Sequence, residues 1–201
     1  RSRYAFIGDS RMSNIKLVHS GGNSVSISAP STNPSSNRTL TVDGSGDGNI
    51  VPSNHGNCFK AYSSSATVAT VATSTTTNII CNTEVYDIGS AYNTSTGIFT
   101  PNVAGYYWVK AHIMWSTSSS ATNNAYYTSM IFKNTTETLK HIIHIDKQDW
   151  WSSVPTGLIA MNGSSDYLQL KVWHNRGGNE FVAGDNVYKT HFEAHWVRGL
   201  V

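Results

Sequence analysis

Charge is what this sequence has least of. Asp, Glu, Lys and Arg make up 13% of its 201 residues, well below the usual quarter, and their net is only +2. So small a balance gives no footing for counterion release along a phosphate backbone, which excludes nucleic acid as the expected partner. Cysteine is nearly absent too. Cys58 and Cys81 are too few for a disulfide scaffold and cannot make a zinc site by themselves. Two free thiols are the expected state, Cys81 buried within Asn78-Ile79-Ile80-Cys81-Asn82, with a Cys58–Cys81 bridge as the alternative. No apolar run reaches bilayer-crossing length, so no membrane insertion is expected. Arg1-Ser2-Arg3-Tyr4 is followed by only a short apolar run, which argues against a signal peptide; without an initiator Met the chain reads as a fragment or a processed product.

Catalytic constellations are missing as well. Serines abound, yet none sits in a Gly-x-Ser-x-Gly elbow. Gly8-Asp9-Ser10 resembles the nucleophile block of GDS-type esterases, but the α/β framework and the late Asp-x-x-His of those enzymes have no counterpart. Acidic residues are scattered rather than paired, which leaves glycoside chemistry without its two carboxylates. The expectation is a protein that is not an enzyme.

What fills the sequence is Ser, Thr, Asn and Gly around a 39% hydrophobic fraction, the composition of many short strands joined by polar turns. Ile15 to Val18 and Ser24 to Ser28 alternate like strands, with Gly21-Gly22-Asn23 as the turn between them. Arg38 to Val42 reads as another strand, followed by Asp43-Gly44-Ser45-Gly46-Asp47-Gly48, for which a calcium loop is the alternative reading. Strands this few and short cannot bury a core unaided. A boundary is therefore expected near residue 56, with segment 1–56 as a β stem and 57–201 as the main domain.

Two resemblances attach to particular residues. The string Asn23 to Val51, NSVSISAPSTNPSSNRTLTVDGSGDGNIV, is similar to a linker module of bacteriophage tail-fibre and other virion-appendage proteins, although Asp43 stands where that module has proline. From Cys58 onward the chain resembles the C1q/TNF-like jelly roll. Phe59-Lys60-Ala61-Tyr62 matches its opening strand, Tyr86-Asp87 and Gly97-Ile98-Phe99-Thr100-Pro101 its "YD…TG-x-FT-x-P" signature, and Gly105-Tyr106-Tyr107-Trp108-Val109 its "G-x-Y-x-F" strand. Met130 to Asn134, Thr156 to Met161, Asp166 to Val172 and His191 to Val197 follow in the family's strand order. Ser63 to Thr77, rich in Ser, Thr and Ala, reads as an exposed edge or loop. The resemblance implies an all-β, antiparallel jelly-roll sandwich that assembles as a homotrimer and serves recognition.

Alternation along the strands points to a trimer independently. In Tyr106 to Trp115 one face holds Tyr107, Val109, Ala111, Ile113 and Trp115, the expected sandwich interior. The other holds Tyr106, Trp108, Lys110, His112 and Met114, too apolar for a face left in water. Tyr167 and Trp173 oppose Leu168, Leu170 and Val172 in the same way, and His191, His195 and Val197 oppose Phe192, Ala194 and Trp196. Tyr106, Trp108, His112, Met114, Tyr167, Trp173, His191 and His195 are the expected trimer interface. A larger sandwich covered by its own chain is the alternative.

Of the eight histidines, no intrachain pair has chelating spacing. His141 and His144 point to opposite faces, and His191 and His195 lie about 13 Å apart. Three symmetry copies of His112, His191 or His195 on an axis could hold an ion, and family calcium near the apex could fall to Asp146, Asp149, Glu180 or Asp185; otherwise no cofactor is expected. The long connections 116–127, 146–154 and 174–186 are the places for recognition. Their aromatic and amide side chains suit sugar rings, which makes Tyr126, Tyr127, Gln148, Asp149, Trp150, Trp151, His174, Asn175, Arg176, Asn179 and Glu180 the receptor-binding candidates, although for Trp150 and Trp151 plugging the interface or the core is the favoured alternative. Asn37, Asn93, Asn134 and Asn162 begin Asn-x-Ser/Thr sequons of the kind a chain rich in these residues produces by chance. The expected whole is a phage appendage on the virion surface, tied to other virion proteins through 1–56, whose head binds a host cell-surface glycan or protein. A capsid decoration without a receptor and a secreted C1q-like module are the rivals.

Overall fold

β-branched and aromatic residues at alternating positions, broken by Gly, Asn and Ser turns, produce strands almost everywhere in the computed structural model. It describes residues 14–18, 24–28, 56–116, 125–145 and 149–200. The chain divides into two compact units, Arg1–Ile50 and Val51–Val201. In the first, β1 (Asn14–Val18) and β2 (Ser24–Ser28) form an antiparallel pair with Asn14 opposite Ser28 and Val18 opposite Ser24, as the alternation and the Gly-Gly turn imply. The strand expected at 38–42 and the acidic glycine run after it lie outside the described residues.

The second unit starts with β3 (Cys58–Tyr62), β4 (Thr67–Val71), β5 (Thr77–Asn78), β6 (Thr83–Ile88), β7 (Tyr92–Asn93) and β8 (Ile98–Phe99). Three long strands follow: β9 (Gly105–Ser116), β10 (Ala125–Lys133) and β11 (Thr136–Ile145). The chain closes through β12 (Trp150–Ser153), β13 (Thr156–Met161), β14 (Leu168–His174), β15 (Glu180–Ala183) and β16 (His191–Arg198). Among the described residues there is no helix, and every pairing is antiparallel.

Two sheets result. The smaller runs β11-β10-β14-β8-β7, with β5 also on β14. The larger centres on β9. Residue Trp115 pairs with both Trp151 and Val182, so β12 and β13 run along one edge of β9 while β15 and β16 run along the other. Beyond β16 come β3 and β6, and beyond β15 comes β4. Ser63 to Thr77 thus supplies a true edge strand, whose Val71 is buried in the core.

Strict alternation builds the interior. Tyr107, Val109, Ala111, Ile113 and Trp115 are fully buried, as are Leu168, Leu170 and Val172 from the facing sheet. At one end Phe59 stacks on Tyr92 at 4.4 Å and on Phe99 at 4.6 Å, with the edge of Phe192 at 5.1 Å. Each such ring contributes about 2 kcal/mol by leaving water, and its ring–ring geometry adds about 1 kcal/mol. Both cysteines are free thiols; Cys81 is buried and Cys58 half-buried, and burial pushes the Cys81 thiol up to about 12. Asn162 and Asn134 close the turns at the end of β13 and β10. The Asn162 Oδ1 accepts from the backbone of Ser164, Ser165 and Asp166, while Asn134 spans Asp166 and Tyr167. Asn93 caps its own turn through Ser95 and Thr96, so these three sequon side chains are engaged in local structure.

Candidate functional site

Even-numbered residues of β9 face away from the core, and the registers of its neighbours extend that face across the larger sheet. One cross-strand row reads Leu158, Trp108, His195, Cys58, Ile88. Next to it, Tyr106 lies between Ala160 and Arg198. These rows are greasy and open: Trp108 is 46% exposed, Leu158 55% and Ile88 63%.

The following row, Thr156, Lys110, Glu193, Lys60, Tyr86, is charged. Glu193 sits between the two lysines, 3.3 Å from Lys60 and 3.8 Å from Lys110. Beyond it His112 and His191 are directly opposed, their rings stacked at 5.3 Å and nearly parallel (6°). His112 donates through Nδ1 to the Lys189 carbonyl, while neither nitrogen of the buried His191 ring has a partner. Burial, then the nearby Lys60, lower the His191 pKa to about 4; Glu193 opposes this, and His112 and Lys110 add to it. Met114, Ser116, Trp150 and Phe181 continue the face to the far end of β9.

Six of the eight expected interface residues therefore share one surface: Tyr106, Trp108, His112, Met114, His191 and His195. Tyr167 and Trp173 do not. Trp173 lies on β14 opposite Thr128, and Tyr167 is bonded to Asn134 just before the same strand, so both lie with the smaller sheet rather than on the face of β9. Leu158 and Ile88 complete the apolar rows and were missed in the sequence, because their strands pair with β9 and β3 only through long-range register.

The receptor-binding set divides more sharply. Trp150 and Trp151 stand on β12, a strand rather than a loop, and face opposite ways: Trp150 outward beside Ser116, Trp151 packed against the core. The ammonium of Lys189 lies 5.1 Å over the Trp150 ring, and Asp149 accepts from the Trp150 amide. Tyr126 and Tyr127 likewise oppose each other on β10, and only Tyr126 is exposed. Tyr127, His174 and Glu180 are buried, which corrects their assignment as surface contacts. They come together inside one end of the sandwich, where Tyr127 stacks on His174 at 5.5 Å and Trp115 meets both rings edge-on. Arg176 folds in to pair with Glu180.

His174 is held as a neutral ring. Its Nε2 donates to the Val71 carbonyl at 2.8 Å and its Nδ1 accepts from the Arg176 amide at 3.2 Å. Burial lowers its pKa; the bond to Val71 opposes that, and the Arg176 charge adds to it. This internal cluster fixes the strand ends beneath the connections and leaves Asn175 and Asn179 as the exposed candidates of that stretch. Gln148 lies outside the described residues.

As for ions, no three His, Cys, Asp or Glu side chains among the described residues are placed to hold a metal. Parallel, stacked rings keep the in-plane lone pairs of His112 and His191 from converging on one ion within a chain. Glu180 is engaged by Arg176, and Asp185 by Lys189 at 2.6 Å; Asp146 lies outside the described residues.

Residues 61–170 match the family model described as C1q domain. The fold is similar to the globular domain of zebrafish complement 1qA, at a TM-score of 0.53 and 10% identity over 72% of this chain and 99% of that one. Murine APRIL at pH 5.0 superposes with a TM-score of 0.52 and 10% identity, covering 71% and 99%. Eiger TNF from S. frugiperda gives 0.50 and 10%, covering 73% and 95%. No curated protein matches the chain.

Proposed function

This chain belongs to the C1q domain family, a family of non-enzymatic recognition modules, and on that footing we propose that it is the trimeric head of a bacteriophage appendage that binds a glycan on the host surface. One observation carries the assembly: the outward face of the larger sheet combines the open apolar residues Trp108, Leu158 and Ile88 with a paired charge row. A monomer would leave that patch in water, whereas two sibling copies would cover it and gain about 2 kcal/mol for each large side chain removed from solvent. Threefold repetition then gives avidity, so that three weak sites act as one strong one. The appendage reading draws on the phage-like string from Asn23 to Val51, whose β2 pairs with the preceding β1, and this segment would tie the head to other virion proteins.

Native mass spectrometry of the full chain at micromolar concentration tests the assembly. The expected mass is three chains, and Trp108→Asp, which puts a charge in the centre of the apolar row, shifts it to one. A stable wild-type monomer overturns the reading. Attachment to host cells tests recognition: an intact trimer that never attaches leaves only a structural role in the particle.

A further inference from the structure

We propose that the outward face of the smaller sheet is a binding groove for a neutral glycan, with Trp173 as its stacking platform. The proposal deepens the recognition reading above and rests on it for which face stays open: with the larger sheet as the seam, this face points away from the sibling copies. The groove follows from side-chain height along three adjacent strands. On β10, Thr128 and Met130 point outward but are buried, forming a low floor. On one side Thr128 is flanked by Ile142 and Met130 by Lys140, both from β11. On the other side Thr128 is flanked by Trp173 and Met130 by Lys171, both from β14. Low residues between tall ones leave a channel of about 540 Å³, within the range that holds small ligands.

Its chemistry is that of a sugar site. Trp173 and Ile142 face each other across Thr128 and offer apolar walls to the C–H face of a pyranose. Polar groups sit around them: Thr76, Thr128 and Asn175 line the same space. Asn175 Oδ1 accepts from the Tyr126 amide at 2.7 Å, which fixes its orientation and leaves Nδ2 to donate elsewhere. Tyr126 is braced in turn by the edge of His144 at 4.3 Å.

Glu137 and Lys140 close one end as an ion pair at 2.7 Å, offering both an acceptor and donors to hydroxyls. Glu137 neutralises the lysine that lines the groove, and Lys171, which flanks Met130 on the Trp173 side, has its ammonium 4.4 Å over the Phe132 ring, so the lining itself carries no net charge to attract a sialic acid, a uronic acid or a phosphate. Neutral hexose or N-acetylhexosamine chains fit it. The rival aromatic, Trp150, has its ring under Lys189 and stands on the seam face.

The test is an array of neutral hexose and N-acetylhexosamine oligosaccharides beside sialylated and uronic-acid ones, probed with the full chain. Binding to at least one neutral member is expected. Trp173→Ala and, separately, the milder Glu137→Ala should each weaken it by about tenfold or more while trimer mass is unchanged. Three results overturn the groove: binding confined to acidic glycans, binding indifferent to both substitutions, or an intact trimer that attaches to cells yet binds no neutral glycan. The last would leave recognition standing, through a protein receptor. A monomer that binds a neutral glycan through Trp173 would keep the groove and sink the trimer.

Discussion

Replacing His191 by Phe should remove a defined part of the domain's acid sensitivity. His191 is 8% exposed, stacked on His112, with Lys60 and Lys110 as its cationic neighbours and Glu193 as its anionic one. Its ring takes a proton only near pH 4 in the fold, against about 6.5 in an unfolded chain. The unfolded state therefore protonates first as pH falls. Stability that is complete above about 6.5 drains away down to about 4 and is then level. Integrating the linkage for this one site gives a loss of about 2 kcal/mol between pH 7.5 and pH 5, approaching about 3 kcal/mol below pH 4. His174, whose pKa is also lowered, contributes in the same direction but is untouched by the substitution. Burial alone would raise the Asp166 carboxyl, but bonds from Lys133, Asn134 and the Asn162 amide hold it below its usual range, so it matters only at lower pH. Urea unfolding at fixed protein concentration, followed by tryptophan fluorescence at the two pH values, reads the difference. His191→Phe should lose about 2 kcal/mol less than wild type over that interval. Equal losses in the two proteins would refute the reasoning.

Burial and backbone geometry give three further outcomes. Arg176→Met strands the fully buried Glu180 carboxylate and should cost about 3–5 kcal/mol by urea unfolding, whereas Arg176→Met with Glu180→Met should recover much of that loss. Gly163 has a φ of +69°, and a Cβ there would lie 2.2 Å from the Ala104 nitrogen. Gly163→Ala should therefore cost about 2 kcal/mol or more in thermal or urea unfolding. Gly177→Ala, at φ +96° but with nothing within 4 Å, should cost only the backbone strain, about 1 kcal/mol.

Much of the strand order was legible because its cause is local. Period-two alternation is written into consecutive residues, so the buried face of β9 could be read directly from Tyr107 to Trp115. Turn chemistry is equally local, which is why the β1–β2 pair matched Gly21-Gly22-Asn23. The connections misled for the same reason. Trp150 and Trp151 resemble a loop platform in sequence, yet Ser116 and Trp115 offer them an open strand edge, and pairing converts them into β12.

By itself, then, the sequence determined that the chain makes short antiparallel strands, which side of each one is greasy, and that two such sides exist. Only tertiary structure decided which outward aromatics became neighbours. Alternation says that a side chain points out but not from which sheet; pairing with β9 sends Trp108 and Leu158 to one surface, and pairing with β10 sends Trp173 to the other. The same holds inside, where Tyr127, His174, Arg176 and Glu180 meet as one cluster although they come from separate strand ends. Register between distant segments is a property of the whole packed chain, since each pairing is stable only when the facing layer is already in place.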